Sequence, residues 1–308
     1  MLCVATLISH ADRPTVTEAM AREVTRYLPF GRAGGWLAPA VAIDITFVLD
    51  GAEPSPTDVL VVKDLDAKIR DIIGAQPVDI VIQKAERRRK KLLVADMDST
   101  MIGQECIDEL ADYAGLKRRV SEITERAMRG EIAFEPALRE RVALLKGLPA
   151  TALDEVIAER IRLTPGGPTL VATMRANGAH SCLVSGGFTA FTSKIAAMIG
   201  FDEDRANTLL CDANGRLTGK VAEPVLGRQA KLDMLTALRQ RYQLARDETL
   251  AIGDGANDVA MIKAAGLGVA FRGKPALREA AAVCIDHGDL TALLYAQGYR
   301  HEEFVNSE

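Results

Sequence analysis

Leu92-Leu93-Val94-Ala95-Asp96-Met97-Asp98-Ser99-Thr100 runs four apolar residues straight into two carboxylates one residue apart, followed by a Ser-Thr turn. A short apolar run bounded in this way reads as a buried strand of a parallel sheet, and ligands of such sheets bind beyond the carboxyl ends of the strands. Asp96 and Asp98 therefore belong to a binding edge. A second run, Thr249-Leu250-Ala251-Ile252, leads into Gly253-Asp254-Gly255-Ala256-Asn257-Asp258, so a second strand delivers carboxylates to the same edge. Hard oxygen ligands gathered like this suit Mg²⁺.

Downstream of the first run, from Glu105 to about Thr164, the pattern turns helical and charged. Apolar residues such as Leu138, Val142 and Leu145 recur at helical spacing, and the segment closes on Thr164-Pro165-Gly166-Gly167-Pro168. It reads as an all-helical insertion. Beyond it, helices over about 168–177, 189–199, 229–242, 257–265 and 275–282 alternate with strands over 179–184, 249–252, 268–271 and 283–285, with a hairpin around Asn214-Gly215. That alternation predicts an α/β fold with a doubly wound parallel sheet. Upstream, residues 1–85 read as strand (2–9), helix (about 16–28), a Gly/Pro-rich stretch (29–39) with a short strand near 36–41, strand (42–49), helix (about 57–73) and strand (78–83). The order is βαββαβ, a small α+β unit. Glu86-Arg87-Arg88-Arg89-Lys90-Lys91 then reads as a solvated linker rather than a nucleic-acid site. The division expected is 1–85, a core of 86–104 with 165–308, and a helical cap over 105–164.

Bulk properties exclude several classes. The 308 residues, 48% hydrophobic and 26% charged, fit a soluble globular protein of two or three domains. A net charge of −4, from 42 acids against 38 bases, offers no general field for nucleic acid or anionic lipid. The five cysteines are scattered without a C-x-x-C pair, so neither a zinc knuckle nor a disulfide framework is expected, and a reducing cytoplasm is. The apolar run over 2–8 is too short for a signal sequence and meets His10, Asp12 and Arg13 at once, and no later run reaches membrane length. The four histidines have no ligand-like spacing and no G-x-S-x-G elbow accompanies them, so a zinc enzyme or serine hydrolase is unsupported. Cys106 reads as a small packed residue.

The acidic turns point instead to phosphate chemistry. Phosphate monoesters are among the least reactive biological substrates, so their hydrolysis needs a nucleophile, a leaving-group acid and strong charge compensation. Asp96 can attack phosphorus, splitting one hard step into two easier ones. Asp98, two residues on, can protonate the departing alkoxide and later activate water. An anionic carboxylate and an anionic phosphate ~4 Å apart repel by roughly 1 kcal/mol in water and by several times that at a partly buried site. A divalent cation held by Asp96 and Asp254 would offset this, and Lys231 offers a second positive charge. Ser185-Gly186-Gly187, where a strand gives way to a helix, supplies a hydroxyl and unhindered N–H groups to cradle phosphate.

In this order these residues resemble the haloacid dehalogenase superfamily, and within it the family of phosphoserine phosphatases, from Leu92 to the C-terminus. The resemblance implies an aspartyl-phosphate on Asp96, with Asp98 as general acid/base and Mg²⁺ ligand through its backbone carbonyl. It makes Asp254 a carboxylate ligand and Asp258 a supporting acid. Ser185, Gly186 and Lys231 would hold phosphate, and Asn257 would order the site. In the helical cap it implies Glu105 for the ammonium of O-phosphoserine and Arg141 for its carboxylate, within Phe134-Glu135-Pro136-Ala137-Leu138-Arg139-Glu140-Arg141-Val142. Phe134 would close the apolar side, and Arg139 is the rival to Arg141. A zwitterion needs such an anion and such a forked cation. Residues 1–85 resemble ACT-type regulatory modules through Asp12-Arg13-Pro14, with Thr15 where a glycine is common, which implies a homodimer through this unit and leaves its ligand open. Two alternatives stand: the same chemistry, or phosphoryl transfer, on another small phosphomonoester, and an amino-acid-sensing regulator whose phosphatase half is degenerate. The intact acidic turns count against the last.

Overall fold

The computed structural model describes residues 1–49, 56–128 and 131–305. The N-terminal unit runs β1 (Leu2–Ile8), α1 (Glu18–Tyr27), β2 (Arg32–Ala38), β3 (Ala42–Val48), α2 (Pro56–Ile73) and β4 (Asp79–Lys84), in the expected order. Its strands form an antiparallel sheet ordered β2-β3-β1-β4. Alternation along each strand separates two faces. Cys3, Ala5, Leu7, Ile43, Ile45 and Phe47 face Val24 and Ile69 of the helices. Ile8, Ala42 and Val81 join a second cluster with Leu293 and Tyr295 near the C-terminus. The strand expected near 36–41 begins earlier, inside the Gly/Pro-rich stretch. Its register slips between Ala33 and Trp36, and a Cβ at Gly34 would lie 2.5 Å from the carbonyl oxygen of Asp44. The glycine thus permits a bulge rather than breaking the strand.

The basic run 86–91 is a solvated linker only in part: Glu86, Arg87, Arg89 and Lys91 are exposed, but the run is also pinned to both units. Arg88 binds both carboxylate oxygens of Asp44 (2.7 and 3.0 Å) and donates to the Tyr295 carbonyl (3.2 Å). Arg89 donates to Glu303 (2.6 Å) with its guanidinium over the Tyr299 ring. Lys90, 7% exposed, donates to the carbonyls of Arg87 (3.0 Å) and Asp247 (2.7 Å). Forked donors on long stems find partners on both sides of the strap and stitch the two units together. Asp79 reinforces the joint by accepting the N–H groups of Asp286, His287 and Gly288.

The core begins with β5 (Leu92–Ala95). The insertion follows as α3 (Cys106–Tyr113), α4 (Lys117–Met128), α5 (Phe134–Leu144) and α6 (Thr151–Arg160). The chain then continues through α7 (Gly167–Ala176), β6 (His180–Phe188), α8 (Thr189–Ile199), β7 (Glu203–Asn207), β8 (Leu209–Cys211), β9 (Leu217–Val221) and α9 (Arg228–Arg241). It closes with β10 (Thr249–Gly253), α10 (Val259–Ala264), β11 (Leu267–Phe271), α11 (Pro275–Ala280), β12 (Val283–Ile285) and α12 (Ala292–Ala296). Six parallel strands are ordered β12-β11-β10-β5-β6-β7, so the α/β, doubly wound reading holds. The chain leaves β5 toward β6 on one side and returns to β10 on the other. That reversal opens a crevice at the carboxyl ends of β5 and β10, where Ala95 lies opposite Ile252. Hairpin β8–β9 turns at Asn214-Gly215 and bonds to the insertion, with Gly147 N–H on the Leu217 carbonyl and Leu217 N–H on that of Leu148 (both 2.8 Å). Among the described residues no helix is long and apolar enough to cross a membrane.

Candidate active site

The turn after β5 sets the first two acids. Asp98 is extended and Ser99 left-handed (φ 56°), which keeps Asp96 and Asp98 on one side, lining a cleft of about 160 Å³. Asp96 is 4% exposed; its Oδ1 accepts the Met97 N–H (2.8 Å) and lies 2.6 Å from Lys231 Nζ. Lys231, 2% exposed on α9, also bonds Asp258 Oδ1 at 2.6 Å, and Asp258 Oδ2 accepts the Gly255 N–H (3.1 Å). Burial opposes the Lys231 charge, but Asp96 and Asp258 overcome it and raise its pKa. Burial and then Asp258 push the Asp96 carboxyl well above the usual range, with Lys231 pulling the other way. One lysine does not fully compensate two buried carboxylates.

Asp98 is held at both oxygens, by the Cys106 N–H (2.8 Å) and the Ser185 hydroxyl (3.0 Å). Ser185 in turn accepts the Gly187 N–H (2.8 Å). A Cβ at Gly187 would lie 3.0 Å from Ser185 Oγ and 3.2 Å from Asp98 Oδ2, so glycine suits this close approach. The strand predicted over 179–184 continues to Phe188, so Ser185, Gly186 and Gly187 lie within its carboxyl end. Cys106 is buried with its thiol pKa pushed up by that burial, as a packed residue should be.

Asp254, at the end of β10, is 6% exposed, and its Oδ2 pairs with Lys274 Nζ at 2.9 Å. Lys274 was not anticipated, although Arg272-Gly273-Lys274-Pro275 follows the apolar strand β11 at the same sheet edge. Carboxylate oxygens of Asp96, Asp254 and Asp258 lie within 4.8 Å of one another. Both Asp258 oxygens are committed to Lys231 and Gly255, which leaves Asp96 and Asp254 as the carboxylates to offer. An all-oxygen set beside undercompensated carboxylates fits a hard divalent cation, not a soft one.

The cap supplies the other wall. Glu105, Ile107, Phe134, Leu138 and Arg141 line the cleft with Asp96, Asp98, Ser185, Gly186, Asp254, Asn257 and Lys274. Lys231 and Asp258 do not line it; they sit behind Asp96. Arg141 makes only long bonds, to the Ala137 carbonyl (3.3 Å) and Thr124 Oγ1 (3.4 Å), and among the described residues has no carboxylate within 4 Å. Burial lowers its pKa. Arg139 instead bonds Glu135 and Glu223 (2.6 Å each) at the surface. Glu105 is an exposed residue whose carboxyl end turns into the cleft and accepts the Ser99 hydroxyl (2.8 Å). Desolvation of that end, then Asp98, push its pKa up to about 7. The Phe134 ring, on a residue 40% exposed, rests on Gly186, where a Cβ would meet it at 3.3 Å.

Known proteins share this layout. The haloacid dehalogenase-like hydrolase family matches residues 93–263. A phosphoserine phosphatase of Streptomyces coelicolor is 38% identical over 302 residues, 97% of this chain and 71% of the relative. The unliganded structure of a probable phosphoserine phosphatase from Vibrio cholerae superposes with a TM-score of 0.75 at 31% identity, covering 98% of this chain and 88% of that one. A phospho-aspartyl intermediate analogue of phosphoserine phosphatase matches 67% of this chain and 98% of its own, with a TM-score of 0.62 and 41% identity. With its acidic turns on adjacent parallel strands and a helical cap over them, the chain belongs to the haloacid dehalogenase-like hydrolases.

Proposed function

We propose that this chain hydrolyses O-phosphoserine to serine and inorganic phosphate through an aspartyl-phosphate on Asp96. The observation that carries the substrate assignment is Arg141, a desolvated guanidinium without a carboxylate partner among the described residues, in the same cleft as Glu105 and the Asp96–Asp98 pair. A phosphate on the floor leaves the substrate's carboxylate and ammonium to be met by the cap. Arg141 would meet the carboxylate, and the ammonium, brought beside Glu105, would draw its raised carboxyl back to the charged form.

In the first step the free oxygen of Asp96 bonds to phosphorus as the bond to the serine oxygen breaks, and Asp98 gives that oxygen its proton. In the second, Asp98 takes a proton from water as the water oxygen bonds to phosphorus and the Asp96–phosphorus bond breaks. Lys231 pins the other Asp96 oxygen, so the attacking one is oriented before substrate arrives. Ser185 and Gly186 receive the phosphate oxygens, and Asn257 orders the edge of the site. Asp96, Asp254 and the Asp98 backbone carbonyl would hold Mg²⁺, which masks phosphate charge when bound. Phe134 and the cap exclude water during transfer.

The N-terminal unit is read as an ACT-like regulatory module, supported by its βαββαβ order and sheet order. Its outer strand β2 is the edge through which a homodimer would form. Five cysteines without a disulfide among them suit a reducing cytoplasm. The decisive assay is a panel of phosphorylated metabolites with and without Mg²⁺. O-phosphoserine should lead the panel and chelation should abolish its turnover; equal kcat/KM across unrelated phosphomonoesters would overturn the substrate assignment.

A further inference from the structure

The ladder between β6 and β7 is interrupted where the phosphate cradle stands. Pairing runs regularly from Cys182–Glu203 to Val184–Arg205, then slips, and resumes at Phe188–Asn207. Three residues of β6, Ser185 to Gly187, thus oppose one of β7, Ala206. Such a bulge lifts backbone out of the sheet and re-aims it, and leaves polar groups that the ladder no longer satisfies.

Asn207, 2% exposed at the end of β7, fills that gap. Its Nδ2 donates to the Gly186 carbonyl (2.9 Å) and to the Leu226 carbonyl (3.1 Å), while its Oδ1 accepts the Leu226 N–H (2.7 Å). Leu226 leads through Gly227 into α9, the helix that carries Lys231. The Phe134 ring rests on the two glycines beside these bonds: a Cβ would meet it at 3.3 Å from Gly186 and 3.6 Å from Gly227. One buried carboxamide thus ties together the cradle, the approach to α9 and the seat of the cap's aromatic ring.

We propose that Asn207 is a positioning residue for phosphate binding, holding the Ser185–Gly187 bulge open toward the cleft and fixing the surface on which Phe134 closes. The inference rests on reading the Asp96 cleft as the phosphate site, but not on serine being the alcohol. Asn207 touches no substrate; it acts through Gly186 and Leu226.

The test uses Asn207→Asp, which keeps the acceptor for Leu226 N–H but turns lone pairs on the two carbonyls, and Asn207→Ala, which removes all three bonds. Asn177→Ala, which removes a side-chain bond to the Thr173 carbonyl at the end of α7, serves as a control for loss of stability alone. Inorganic phosphate is measured as an inhibitor of aryl-phosphate hydrolysis, well below each unfolding midpoint. Both Asn207 variants should raise the phosphate inhibition constant and KM at least about tenfold with a smaller change in kcat, while the control leaves both constants unchanged. Unchanged phosphate inhibition in either folded variant would overturn the proposal, and so would loss of the fold in both, which would make Asn207 a residue of the fold alone. A wild type that binds phosphate yet ignores O-phosphoserine would overturn the substrate assignment and leave this inference standing.

Discussion

The floor of the cleft and its roof are built on opposite terms. At the floor and just behind it, Asp96, Lys231 and Asp258 are buried at 4% exposure or less and joined by bonds of 2.6 Å. On the roof, Phe134 is 40% exposed and Arg141 hangs on bonds of 3.3 and 3.4 Å. On the proposed mechanism, the charges that do the bond-making are fixed before substrate binds, where reorganisation would cost rate. On the proposed reading, the groups that choose the substrate are the loosely held ones on the cap, left able to turn and meet it.

The largest effect should come from the floor's nucleophile. Asp96→Asn keeps an acceptor for the Met97 N–H but removes the attacking oxygen, so turnover should fall by about a thousandfold or more. Turnover and the thermal midpoint together check this: activity gone, fold intact. Substantial residual turnover would put the covalent step elsewhere and erase the distinction between floor and roof.

Lys231→Met should cost both activity and stability. It leaves two buried carboxylates facing each other without their cation, a change that costs on the order of 3–5 kcal/mol when one member of a buried pair is removed. Urea unfolding measures it. A loss below about 1 kcal/mol would mean that the floor is as loosely held as the roof.

On the roof the effect should be selective instead. Arg141→Ala should lower kcat/KM for O-phosphoserine by about a hundredfold, because it removes a charge-assisted bond to the substrate carboxylate, while an aryl phosphate that lacks that group changes only a few-fold. Arg139→Ala, which breaks only surface pairs with Glu135 and Glu223, should leave both substrates untouched. Equal losses on both substrates for Arg141→Ala would make it part of the floor.

This division also separates what could be read in the sequence from what could not. Strands β5 and β10 are buried on both faces, so they appear as unbroken apolar runs, and the residues just after them must lie at the ligand edge. Asp96, Asp98, Asp254 and Asp258 were legible for that reason. β7 was not, since Glu203-Asp204-Arg205-Ala206-Asn207 is a polar edge strand without alternation, and five-residue α12 is apolar all round and carries no period. Lys274 and Asn207 were missed because a single polar residue at a strand end signals nothing until its partner is known. The pinning of the partly solvated strap 86–91 was missed for the same cause: Asp44, Asp247, Tyr295 and Glu303, which meet its charges, are remote in sequence.

The smallest effect tests the pairing rule away from the site. Lys90 is buried like Lys231 but faces the carbonyls of Arg87 and Asp247 rather than carboxylates at bonding distance. Burial therefore wins, and its pKa falls from the ordinary 10.5 to about 8, where that of Lys231 rises. Between these two values the unfolded chain holds a proton that the folded one has released, so folding is favoured increasingly as pH rises from about 8 to about 10.5. Below that window both states carry the charge and the folded one bears the full cost of burying it. The urea midpoint of the wild type measured against Lys90→Met should accordingly climb across the window, because the methionine variant lacks this titration and cancels the rest. A difference that stays flat, or falls, would mean that the two carbonyls compensate a buried ammonium as well as the two carboxylates around Lys231 do.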